Sequence, residues 1–189
     1  MADVVTYRGI TKLVLSELDA ALNAVESESV ERLIDEVLSA RKVFFVGVGR
    51  VLLSLQAISK RWAHLGISTY FVGEITEPAI TADDLLIVGS GSGTTMFPVG
   101  IAKKAHKIGA KIIHIGSNPN SELKDISEFM VRIPVRTKYY LDDEIDSCQP
   151  MTSLFEQSLL LLGDITAKMI VDRKNLDMKE LWQYHANLE

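Results

Sequence analysis

Leu85-Leu86-Ile87-Val88-Gly89-Ser90-Gly91-Ser92-Gly93-Thr94-Thr95 is the stretch whose reading decides the fold. Its apolar opening reads as a short strand buried on both faces, the mark of a parallel sheet covered by helices. The glycine- and hydroxyl-rich run then leads into a helical pattern over 98–108, closed by Gly109. A loop of this composition between strand and helix is built to hold an anion. Gly89, Gly91 and Gly93 free the backbone for positive φ and close approach. Successive peptide N–H groups at a helix start present donors and the positive end of its dipole. No Lys followed by Ser or Thr comes after the glycines, so this is no nucleotide-binding Walker loop. A small phosphorylated molecule is the implied ligand, against the plainer reading of a connecting turn.

Outward from this stretch the chain alternates. A helical region from about Val5 to Ala40 is broken near 27–29. A buried strand over 43–48 ends in Gly47-Val48-Gly49 and is followed by a helix over 51–65 closed by Gly66. Strands are expected over 68–72, 85–88, 111–115 and 129–133, with a short helix over 121–126. The acidic segment 136–150 reads as a mobile loop whose Asp142, Asp143, Glu144 and Asp146 form a solvated face rather than a metal site. A helix over 151–171 is apolar around too much of its circumference for a surface helix, so it belongs to the core or to a subunit interface. A last short helix is expected over 178–187. Strands alternating with helices at these lengths give an α/β fold, a parallel sheet covered on both faces with right-handed crossovers.

The 189 residues fit a single domain over 1–189, and 47% hydrophobic content supplies its core. A net charge of -5 without a local basic cluster argues against nucleic-acid binding. Cys148 has no intramolecular partner, and His64, His106, His114 and His185 lack metal-ligand spacing, which points to a reducing cytoplasm and no metal. No signal peptide is evident. The uncharged run 85–102 contains the glycine loop and Pro98, so it is no membrane span.

An ordered set of motifs resembles the sugar isomerase (SIS) domain family and, within it, the 6-phospho-3-hexuloisomerases. The motifs are Gly47-Val48-Gly49-Arg50, Trp62-Ala63-His64-Leu65-Gly66, Tyr70-Phe71-Val72-Gly73-Glu74 with Pro78, and Ser90-Gly91-Ser92-Gly93 with Thr95. Gln149-Pro150-Met151, Phe155-Glu156 and His185-Ala186-Asn187-Leu188-Glu189 complete it. The resemblance implies a flavodoxin-like five-stranded parallel sheet with helical terminal extensions, and a cytoplasmic homotetramer with sites near its subunit interfaces. It also implies conversion of D-arabino-3-hexulose 6-phosphate to fructose 6-phosphate, without metal or cofactor, in the ribulose monophosphate pathway. The chain departs from the family at three points: Val51-Leu52 follow Arg50 where Ser-Gly is usual, Thr152 follows Met151 where Gly is usual, and Tyr184 precedes His185 where Arg is usual.

Moving a carbonyl between adjacent carbons of a phosphosugar needs one base to shift a proton through a cis-enediol, with polar groups to stabilise the oxyanion. With the resemblance, Glu156 is the candidate base; on spacing alone, Ser153-x-x-Glu156 is a capping box and Glu156 a cap. His185 is the candidate acid or proton relay, completing a neighbouring subunit's site, against an ordinary exposed histidine. Gly49 and Arg50 are expected to line the substrate, Arg50 at the hydroxyls or oxyanion or else as a plain surface cation. Ser90, Gly91, Ser92, Gly93, Thr94 and Thr95 are expected at the phosphate. His64 reads as a packing residue. Two other classes fit in part. Gly47-x-Gly49-x-x-Leu52 with Glu74 is a broken dinucleotide fingerprint, its third glycine replaced by leucine. A phosphosugar-binding regulatory module would keep the loop and lose the chemistry.

Overall fold

A computed structural model of the protein describes residues 6–188, so Val5 and Glu189 lie outside the described residues. Two helices come first, α1 (Tyr7–Asn23) and α2 (Ser27–Ser39), and then strands and helices alternate. These are β1 (Val43–Val46), α3 (Gly49–Ala63), β2 (Thr69–Phe71), β3 (Leu85–Gly89), α4 (Met96–Ile108), β4 (Lys111–Gly116), β5 (Phe129–Arg132) and α5 (Ser153–Arg173). The strands form one sheet in the order β2-β1-β3-β4-β5, every pair parallel, which is the flavodoxin-like order.

Alternation along each strand sends side chains to two cores. Phe45, Ile87, Ile113 and Val131 point to the face covered by α2, α3 and α5, where Ile34, Leu55, Trp62, Phe155 and Leu159 meet them. Phe44, Val46, Leu86, Val88 and Ile112 point to the other face, covered by Val99, Ala102 and Ala105 of α4. The all-round apolar character of α5 is explained by its place inside the molecule, against α3, α1 and α2. Gly163 lets α3 in close, since a Cβ there would collide with Ile58, and its carbonyl accepts the Trp62 indole N–H at 3.1 Å.

Three expected elements differ. Residues 121–126 form turns instead of a helix, closed by Lys124 N–H to Ser121 O at 3.0 Å and Ser127 N–H to Leu123 O at 2.9 Å. Six residues hemmed in by Pro119 and the next strand are too few to propagate past a helix nucleus, and the fully buried Leu123 pins the turn instead. The last helix contracts to a 3₁₀ segment, Glu180–Tyr184. Asp142, Asp143 and Asp146 of the acidic loop lie exposed, as a solvated face, but the loop is tied down by its own acids. Glu144 accepts Thr137 N–H at 2.9 Å, Thr137 Oγ1–H at 2.8 Å and Leu141 N–H at 3.0 Å, while Asp143 pairs with Arg132 at 2.7 Å and Asp146 with Arg136 at 2.8 Å. Glu17 of α1 adds a second anchor, accepting from Ser147 Oγ at 2.6 Å, Cys148 N–H at 2.9 Å and Gln149 Nε2 at 2.9 Å. Burial would raise that carboxyl, but the bonds from Cys148, Ser147 and Gln149 outweigh it and hold it down at about 2.

Candidate active site

At the carboxyl edge of the parallel sheet the N-termini of α3, α4 and α5 converge, and in none of the three does the N-cap side chain cap the helix. The edge therefore carries three positive dipole ends whose first-turn amides are uncapped by Val48, Thr95 or Thr152. Helix α4 starts two residues before Pro98, and the missing proline N–H costs nothing in a first turn.

The loop 90–95 is built from below. Ser90 N–H donates to Ile115 O at 3.1 Å, and the amides of Ser117 and Asn118 donate to Gly91 O at 2.9 and 3.0 Å. Asn118 Nδ2 holds Ser92 O at 3.1 Å. Gly93, at φ 65°, is the one of the three expected loop glycines that takes a positive φ; a Cβ there would strike Ser121. Gly89 is small for another reason, the close packing of Leu55 and Val51 against it. Of the loop hydroxyls, buried Ser90 accepts Gly93 N–H at 3.1 Å and so shapes the turn, whereas Thr94 Oγ1 donates to Ser92 Oγ at 3.2 Å. Thr95 is the N-cap of α4. Beneath the loop lies His114, 2% exposed, its Nε2 at 2.9 Å from Ser90 O. A carbonyl only accepts, so Nε2 carries the proton, and burial pushes the ring's pKa down to about 4, outweighing the Ser90 contact.

Beside this loop Glu156 occupies the first turn of α5, and its carboxylate forms an ion pair with Arg50 from the first turn of α3. Thr152 Oγ1–H donates to the other carboxylate oxygen at 2.9 Å, and Ser54 Oγ–H holds the Glu156 carbonyl at 2.9 Å. The capping box does not form, because Ser153 turns its hydroxyl to Pro150 O at 2.7 Å and Glu156 faces Arg50. The Glu156 side chain is 9% exposed and that of Arg50 66%, so the pair presents a fixed carboxylate inside and a guanidinium open to a ligand. Phe155 lies against Gly91, which joins the pair to the loop. Gly49, at φ 57°, starts α3 directly under Arg50.

His185 stands apart from this group. It stacks on His64, the C-cap of α3, at 5.1 Å between ring centroids and touches Trp182 at 5.1 Å, while Tyr184 packs on Gly66. The length of α3 separates the two ends by roughly 20 Å. The structure thus brings Gly49, Arg50, the 90–95 loop and Glu156 together and leaves His185 at the far end of its own chain. Glu74, the ribose ligand of the dinucleotide reading, turns back on Phe71 N–H at 3.4 Å. Sequence reading passed over Thr152, Ser54, Asn118, Glu144, His114 as a loop support, and Tyr139, whose hydroxyl is 2.8 Å from Thr94 Oγ1. Only Thr152 carried a signal, as a departure from the family pattern. Among the described residues no group of His, Cys, Asp and Glu is arranged to hold a metal ion, and no helix is long and apolar enough to cross a membrane.

Known proteins of similar sequence and structure place these features. No protein-family model matches the chain. It is 34% identical to the 3-hexulose-6-phosphate isomerase of Bacillus subtilis, over 93% of this chain and 95% of that protein. It is 37% identical to the 3-hexulose-6-phosphate isomerase of Mycobacterium gastri, over 94% of this chain and 88% of that one. A solved structure from Methanococcus jannaschii, described as inferring a molecular function of 3-hexulose-6-phosphate isomerase, superposes with a TM-score of 0.81 at 33% identity, covering 95% of this chain and 98% of that one. With the sheet order, the hydroxyl loop and the Arg50–Glu156 pair in place, the chain belongs to the 3-hexulose-6-phosphate isomerase family of sugar isomerase (SIS) proteins.

Proposed function

We propose that this protein is a single-domain, cytoplasmic phosphosugar isomerase that converts D-arabino-3-hexulose 6-phosphate to fructose 6-phosphate, the isomerase step of the ribulose monophosphate pathway. The observation that carries the reading is a nearly buried carboxylate, Glu156, held by Arg50 and Thr152 beside a hydroxyl-rich loop at the joint N-termini of three helices. The phosphate ester lies in the 90–95 loop, against uncapped amides and the dipole of α4. Glu156 removes the proton from C2, the electrons of that bond form the 2,3-enediol, and the same carboxyl returns the proton to C3 as the carbonyl forms at C2. Arg50 faces the developing oxyanion. His185 carries the accompanying proton between the oxygens, reaching the site of a neighbouring copy, since its own chain's Glu156 is a helix length away. That assignment requires an oligomer with shared sites, and the family resemblance makes it a homotetramer. No metal or cofactor takes part.

The test is turnover across a panel of ketose and aldose phosphates. Conversion of 3-hexulose 6-phosphate to fructose 6-phosphate is expected. Binding of the sugar phosphates without turnover of any of them would replace the enzyme with a regulatory binding module.

A further inference from the structure

Residues 136–145 form a strap that crosses the phosphate loop, and the strap is built to stay in place. Its ends are pinned by a parallel bridge between Val135 and Ile145, and its turn is closed on the Glu144 carboxylate by Thr137 and Leu141. Tyr139 N–H donates to Thr137 Oγ1 at 3.2 Å, and Tyr140 adopts a positive φ of 50°. Two contacts then reach down to the loop: the Thr137 methyl group lies over Gly91, and Tyr139 Oη sits 2.8 Å from Thr94 Oγ1. Lys138 Nζ lies over the Tyr139 ring, 5.2 Å from its centroid, which helps to hold the ring.

Counting protons along the hydroxyls gives these contacts a direction. Thr94 Oγ1 has one proton, and that proton is directed at Ser92 Oγ, 3.2 Å away. With that proton on Ser92, the 2.8 Å contact between Thr94 and Tyr139 has the phenol as its donor. Ser92 Oγ, for its part, accepts from Thr94 Oγ1 and from Thr94 N–H at 3.5 Å, and neither contact uses its own proton. The order Tyr139 to Thr94 to Ser92 runs one way, and each bond polarises the next.

We infer that Tyr139 is a substrate-positioning residue, whose phenol sets the direction of the Thr94–Ser92 hydroxyl chain so that Ser92 donates to a bound phosphate ester. The inference rests on the reading of the 90–95 loop as the phosphate site. Without the phenol, Thr94 Oγ1 loses its donor and is free to rotate, and Ser92 is no longer held as a donor toward the ligand. Tyr139 is 45% exposed, so removing one oxygen from it leaves the core untouched.

The experiment is a double-mutant cycle of Y139F and S92A on the full chain, read by calorimetric titration with inorganic phosphate and by KM for 3-hexulose 6-phosphate. One neutral hydrogen bond corresponds to about a threefold to tenfold change. Y139F is expected to weaken phosphate binding and raise KM by that factor, with the loss carried by KM rather than kcat. In the S92A background the same change should have no further effect, because the chain then has no end. Unchanged phosphate affinity in Y139F, or losses that multiply in the double variant, would overturn the positioning role. If S92A itself leaves phosphate binding intact, the loop is not the anion site, and both readings fall together. A loss in S92A with none in Y139F removes Tyr139 alone.

Discussion

Glu156 is the residue at which two chemical roles divide. As a base it exchanges a proton with carbon, and Glu156→Gln keeps its size and part of its hydrogen bonding but has no carboxylate; loss of general-base catalysis costs about 10² to 10⁴-fold in kcat. Steady-state assay of this variant, with deuterium incorporation from D₂O in the wild type, checks it: retained turnover would remove Glu156 from the chemistry. The capping alternative was legible in Ser153-x-x-Glu156, yet it failed, because the local motif competes with a partner 106 residues away, Arg50, that no spacing rule reveals. Thr152 was visible as a departure from the family but not as a donor to that carboxylate, since its use depends on the turn that precedes α5. His114 was invisible altogether: one histidine in an apolar strand reads the same whether it packs or supports a loop. Its consequence is a pH dependence of stability. The folded ring titrates at about 4 against an ordinary 6.5, so below 6.5 the unfolded chain takes up a proton that the folded one refuses, and stability falls as pH falls toward 4. Between pH 7 and 5 this amounts to about 2 kcal/mol. Urea denaturation across that range should show the decline in the wild type and a flatter profile in His114→Gln, with equal slopes counting against the buried neutral ring.

Among the elements, the helix pair α3 and α5 bears most directly on the site, because each brings one half of the Arg50–Glu156 pair. Their close approach depends on Gly163, over which Ile58 lies, and on the Trp62 indole bonded to the Gly163 carbonyl. Gly163→Ala forces Ile58 aside in a packed interface and is expected to cost about 1 to 3 kcal/mol. In a chain of this size that lowers Tm by roughly 2 to 10 °C, measurable by calorimetry, and an unshifted Tm would show that the pair has slack. The strands and long helices were readable because period and punctuation coincide: apolar runs at β1, β3 and β4, Gly66 and Gly109 at helix ends, and the i, i+3, i+4, i+7 spacing of Val30, Leu33, Ile34 and Val37 in α2. The short pieces were not. Residues 121–126 carry helix-forming side chains but too few of them, and the strap over the 90–95 loop is organised by Glu144, whose partners lie in the fold and not in any periodic pattern.

On the scale of the whole molecule, the site groups and His185 lie at opposite ends of α3, so one chain does not bring Glu156 and His185 together. The carboxyl edge also leaves Val48, Leu53, Met96, Phe97 and Met151 exposed around the site, apolar side chains suited to contact with a second copy. The apolar α5 suggested such an interface from sequence, but most of its apolar surface faces the core, with Leu161 and Ile165 left outside. If His185 serves a neighbour, removing Trp182 to Glu189 should impair turnover more than folding, because the 3₁₀ segment has no buried residue. The decisive form of the experiment mixes two defective chains. Glu156→Gln lacks the base and His185→Gln lacks the relay, so each homo-oligomer is impaired. In co-expressed hybrids, an intact Glu156 of one chain meets an intact His185 of the other at some interfaces, and activity should return to a fraction on the order of one quarter of wild type, the statistical share of fully intact sites in a closed symmetric assembly. Light scattering on the same samples should give an oligomer at micromolar concentration. Hybrids no more active than the two parents, or a monomeric wild type, would confine the chemistry to one chain and leave His185 as a packing partner of His64 and Trp182.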